Sequence, residues 1–138
     1  MAFVWNEPKT DWIESDRFNI QDYNRIKNNL AYLHEQMINL DLFFPIKDMG
    51  EDITDYLGYW DYNIFNNFEE NVDLINERIE NKNFGQRQRF FSNGAFIGYK
   101  ELNRIESACL DMKKSIDEIL LHIGRVPFRL GAYNSIRT

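Results

Sequence analysis

The feature that most constrains this chain is a short word written three times. Phe18-Asn19-Ile20-Gln21-Asp22-Tyr23-Asn24-Arg25-Ile26 returns in degraded form as Trp60-Asp61-Tyr62-Asn63-Ile64-Phe65-Asn66-Asn67-Phe68 and as Ile97-Gly98-Tyr99-Lys100-Glu101-Leu102-Asn103-Arg104-Ile105. Each copy sets a large apolar residue before Asn, Asp or Gly, and four positions later reads apolar-Asn-x-apolar, so Asn24, Asn66 and Asn103 are equivalent. Asn19, Asp61 and Gly98 are helix N-cap types, able to satisfy or at least tolerate the unpaired N–H groups of a first turn. Asp22 and Glu101 then fall where a carboxylate can reach back to the cap and meet the positive end of the helix dipole. The middle copy has Ile64 at that place.

Behind each cap the apolar residues step by three and four. The first seam is Tyr23, Ile26, Leu30, Leu33, Met37 and Leu40, and the second is Phe65, Phe68, Val72, Ile75 and Ile79. The third, Leu102, Ile105, Cys109, Met112, Ile116, Ile119 and Ile123, is the longest. Such a stripe occupies one side of an α-helix, and helices that bear it pack along their lengths. The expected fold is an all-α three-helix bundle, with helices over about Ile20–Leu42, Tyr62–Asn81 and Tyr99–His122. Pro45 limits the first and Gly124 stops the third.

At 138 residues, 43% apolar and 15% aromatic, the chain is read as one domain able to fold without metal or disulfide. It divides into an extended arm (1–17), a three-helix core (18–123) and a C-terminal arm (124–138). The single Cys109 lies on the third seam and reads as a small buried hydrophobe. In the first arm Trp5 and Trp12 must find cover, either on the chain's own helices or on a neighbouring subunit. Asn93-Gly94, flanked by Phe90-Phe91 and Phe96-Ile97, favours a tight β-hairpin or bent loop. The acids Asp48, Glu51, Asp52 and Asp55 lack the spacing of a calcium loop.

A net charge of −6 argues against general attraction to nucleic acid or to an anionic membrane. Arg87 and Arg89 interleaved with phenylalanines are ingredients of a single-strand nucleic-acid platform, but the patch is short. The start of the chain has no signal-peptide pattern and no segment approaches a transmembrane length, so synthesis in the cytoplasm is expected. Acids dominate from Asp48 to Glu80, whereas Gly124 to Thr138 carries Arg125, Arg129 and Arg137 and no acid. That asymmetry suits head-to-tail contact between copies, or a solvated basic tail.

No residue set reads as a catalytic centre or cofactor site. His34 and His122 lack partners at ligand spacing, and Cys109 and His122 are about 20 Å apart on a straight helix. Adjacent acids such as Glu69-Glu70 read as solvated. The repeated asparagines, with Asn29 and Asn71, read as hydrogen-bonding groups that fix helix ends or neighbouring backbone.

The words Trp5, Pro8-Lys9-Thr10-Asp11-Trp12, Asp16-Arg17-Phe18-Asn19, Asp22-Tyr23-Asn24-Arg25-Ile26 and Asp48-Met49-Gly50-Glu51-Asp52 resemble small structural proteins of tailed bacteriophages and prophages of Gram-positive bacteria. Ser92-Asn93-Gly94, Glu101-Leu102-Asn103-Arg104-Ile105-Glu106 and Phe128-Arg129-Leu130-Gly131 resemble them too. The resemblance implies a tail or baseplate component of the virion that binds copies of itself or other tail proteins, with no enzyme activity and no cofactor. The middle copy, Asp61-Tyr62-Asn63-Ile64-Phe65-Asn66-Asn67, departs from the pattern by lacking the Arg-Ile pair. The interface residues expected are Trp5, Trp12, Arg87, Arg89, Arg125, Phe128, Arg129 and Tyr133. The alternative is a phage-encoded regulator, outside the particle, that binds a host protein.

Overall fold

The computed structural model describes residues 3–40, 43–50, 62–79, 81–90 and 97–125. Three helices make up its regular structure: α1 (Ile20–Asn39), α2 (Tyr62–Ile79) and α3 (Tyr99–Arg125). Each packs on the other two, and no described residue is in a strand. The expected hairpin at Asn93-Gly94, the cap at Asp61 and the C-terminal arm beyond Arg125 lie outside the described residues.

The starts follow the caps. Asn19 accepts from the Asp22 amide at 3.2 Å while the Asp22 carboxylate accepts from the Asn19 amide at 3.0 Å, a complete capping box. At the third helix the Leu102 amide closes onto Gly98 O at 3.0 Å. The ends depart from expectation by a few residues. α1 stops at Asn39, with Leu40 as C-cap, and α3 runs through Gly124 to Arg125.

Counting from the caps, the three seams fall into common layers. Tyr23, Phe65 and Leu102 each lie four residues past the cap position, followed by Ile26/Phe68/Ile105, Leu30/Val72/Cys109, Leu33/Ile75/Met112 and Met37/Ile79/Ile116. All are buried except Ile79, which packs partly covered against the same core. Cross-helix contacts keep this register along the bundle. Arg25 meets Glu106 near the N-terminal end, while further along Lys113 lies over the rings of both Trp5 and Tyr32. Tyr23 packs on Phe68, and Phe44 bridges His34 of α1 and Arg78 of α2. The helices therefore run parallel, like a three-stranded coiled coil written in one chain.

Parallel helices require long returns, and the described parts of these are neither helix nor strand. Residues 3–13 lie between α1 and α3, 43–50 between α1 and α2, and 81–90 between α2 and α3, as their bonds to both flanking helices show. Each such strap fills one groove of the bundle. The body has pseudo-threefold symmetry in which the repeating unit is a strap and a helix.

Candidate functional site

The repeated asparagines bind the straps to the helices. Asn103 Oδ1 accepts from the Trp12 amide at 2.8 Å and its Nδ2 donates to Trp12 O at 3.0 Å. Asn66 treats Phe90 the same way, at 2.8 and 2.9 Å. Asn29 clasps Asn6, at 2.9 and 2.8 Å, and Asn71 clasps Lys47, at 2.7 and 3.0 Å. A primary amide matches the N–H donor and C=O acceptor of one extended residue, so a strap with no strand partner has its backbone satisfied by a side chain. Asn76 closes the turn after α2 likewise through Lys82.

The repeat also places an ion pair at two of the three junctions. Arg25 and Arg104 lie six residues past their caps, and Glu69 and Glu106 eight past theirs. Arg25 reaches across to Glu106 with Nε at 2.8 Å and Nη2 at 2.7 Å, and also pairs with Asp22 at 2.9 Å. Glu106 is 1% exposed and accepts two further bonds, from the Lys9 amide at 3.0 Å and Trp12 Nε1 at 2.7 Å. At the second junction Arg104 bonds Glu69 and pairs with Glu101 at 2.8 Å. The strap passes close here. A Cβ on Gly85, whose φ is +96°, would sit 2.8 Å from Arg104 Cδ. Glu69 is thus buried and paired, which corrects its reading as a solvated acid.

Phe90 stands where the first junction has Trp12 and brings no indole N–H. Glu69 Oε1 is buried and has no hydrogen-bond partner among the described residues. Burial, the largest cause, pushes the Glu69 carboxyl above the usual carboxylate range, while Arg104 and the nearby Gln88 backbone only partly offset it. Both arginines feel the same burial, but their carboxylate partners outweigh it and hold the guanidinium pKa values above the usual one. At the third junction Lys27 and Asn67 occupy the places of Glu and Arg, and Asn67 Nδ2 instead donates to Asp48 O at 3.3 Å.

Two surface features remain. The first is a trough of about 1100 Å³ along the outer side of α1, between the first two straps. Ala31 and Ile38 form its floor, and Phe3, Val4, Ile46 and Met49 its apolar walls. The second is the bundle end where the helices finish. Among the described residues the exposed large hydrophobics are Phe3, Val4, Ile13, Phe43, Leu120 and Leu121, and all but Ile13 lie toward that end. α3 overhangs it by roughly 11–13 Å at 1.5 Å per residue.

The expected interface residues separate on this body. Trp12 is 3% exposed, and Trp5 packs on Tyr32 and the core, so both arm tryptophans find cover within the chain. Arg87 is bound to Glu70 and Asp73 at 3.4 and 3.3 Å, and Arg89 is exposed with a partner of its own. Arg125 ends α3 without a described side chain, and Phe128, Arg129 and Tyr133 lie outside the described residues. His34 is half-buried and has Nε2 2.7 Å from Phe44 O. Cys109 is buried, and burial pushes its thiol pKa up, against a nucleophilic role.

Among the described residues no group of three or more His, Cys, Asp or Glu side chains is arranged to hold a metal, and no helix is long and apolar enough to cross a membrane. Set against known protein families, curated proteins and solved structures, the chain matches none.

Proposed function

We propose that this protein is a structural component of a tailed-phage virion, in the tail or baseplate, that works by binding copies of itself or a neighbouring tail protein. The observation that carries the reading is the gathering of exposed apolar side chains toward one end of an otherwise clasped body. Phe43 is 72% and Leu121 56% exposed there, although the layers beneath are sealed. Apolar surface concentrated in one region marks a binding face. A pre-ordered body suits that role, because straps held by side-chain clasps leave little ordering cost for association. The resemblance of the repeated words to tail and baseplate proteins supplies the setting.

The test is quantitative mass spectrometry of density-purified particles from the strain that encodes the chain, counting its copies against the major tail protein. A fixed stoichiometry above trace is expected. Abundance in the lysate with absence from particles would overturn the virion reading and favour the host-directed regulator.

A further inference from the structure

Three helices make three grooves, and the chain's first three extended segments fill them. The sequence holds one further segment, residues 126–138, which lie outside the described residues. Its opening, Val126-Pro127-Phe128-Arg129, repeats the apolar-Pro-apolar-basic order of Phe44-Pro45-Ile46-Lys47, the strap that follows α1 and is clasped by Asn71. It has the chemistry of a strap, but no groove between helices is left for it.

The trough on α1 offers a place. Its floor positions lie 12 and 19 residues past the cap, where α1 has Ala31 and Ile38, α3 has Leu110 and Asp117, and α2 has Asp73 at the first. Only α1 is small or apolar at both. Glu35 and Asp48 line the trough beside Lys27 and Lys47, the latter paired with Glu70 at 3.4 Å, and α1 has no basic residue in its last turn to meet the negative end of its dipole. The segment brings Arg129 and Arg137 and no acid. A chain of thirteen residues can span at most about 43 Å, whereas Lys27 to Ile38 spans about 17 Å of helix.

We propose that the trough is filled by residues 126–138 of a neighbouring copy. Trp5, packed on Tyr32 under Lys113, stands between α3 and the trough of the same chain, in the way of a return by that chain's own segment. Exposed Leu120 and Leu121 on the overhang give the neighbour a second apolar contact. Donor and acceptor surfaces differ, so the contact produces exchanged dimers or longer chains.

The contact rests on the assembly reading above. Its test uses purified full-length protein, so a failure here leaves the particle count as a separate question. Ala31→Cys and Phe128→Cys are combined in one chain and treated with a short bismaleimide, with buried Cys109 as internal control. Species at two or more times the single-chain mass are expected. A linker joining both new cysteines within one chain, or no link at all, would overturn the proposal. Light scattering on Phe128→Asp, with helicity checked by circular dichroism, is independent of the cysteines. The mass should fall from that of the unaltered protein to a single chain, and an unchanged mass would contradict the contact.

Discussion

Two junctions of the same repeat bury a glutamate against an arginine from the next helix, and they are satisfied unequally. At Glu106 the strap supplies an indole N–H and a backbone N–H besides the two from Arg25, so both carboxylate oxygens are bonded. At Glu69, Phe90 takes the place of Trp12 and one oxygen is left without a donor among the described residues. A buried ion pair contributes to stability only where its remaining lone pairs are also met, because removing the charges from water costs several kcal/mol per ion. The difference between an indole and a phenyl ring on two straps therefore separates a carboxylate that locks its junction from one that the fold merely tolerates.

The largest expected effect is at the better-satisfied site. Glu106→Gln turns an amide NH₂ toward groups that are all donors and should cost about 3–5 kcal/mol in denaturant unfolding. Removing the backbone clasp beside it comes next. Asn103→Ala leaves the Trp12 N–H and C=O unpaired in a half-buried groove and should cost about 2–3 kcal/mol by the same measurement. Trp12→Phe makes the first junction resemble the second, at about 1.5–3 kcal/mol for one charge-assisted bond. In that background Glu106→Gln should cost less than it does alone, and a double-mutant cycle measures the coupling.

The smallest effect belongs to Glu69→Gln, within about 1 kcal/mol at neutral pH, since the amide nitrogen can take the place of Oε1, which has no donor to lose, and Arg104 keeps Glu101. Its pH dependence carries a sign. With the folded pKa raised above the unfolded one, the folded state takes up the proton more readily. The stability gained from that uptake is fully present below the unfolded carboxylate value and is lost as pH rises through the folded value. Wild type should therefore gain on Glu69→Gln as the solution is acidified from neutral, seen as a narrowing or reversing gap between their thermal midpoints. A gap that widens on acidification would mean that Glu69 is better satisfied than its geometry indicates.

Much of the fold was legible in the sequence. The caps, the 3-4 stepping and the shared register of Asn24, Asn66 and Asn103 follow from helix periodicity, which is local in the chain. The parallel arrangement was not legible, because a seam gives a helix its buried stripe but not the direction of its neighbours. Glu69 and Glu106 were hidden for a related reason. One position past a seam residue, a carboxylate looks solvated until a partner on another helix is placed against it, and Arg104 is 35 residues from Glu69. The signal that could have found them was in the repeat itself, where Arg stands six past the cap in the first and third copies and Glu eight past it in the second and third. The asparagines were recognised as structural, but their partners lie in straps without periodicity, such as Trp12, which is 91 residues from Asn103. The trough on α1 depends on where two straps diverge, and nothing local encodes that.

The central claim, that these two buried carboxylates differ because of what the straps bring to them, is tested most directly by urea unfolding of Glu106→Gln and Glu69→Gln side by side at neutral pH. The account predicts that Glu106→Gln is the less stable variant by at least about 2 kcal/mol, with similar denaturant slopes. Equal losses, or a larger loss at Glu69, would contradict it.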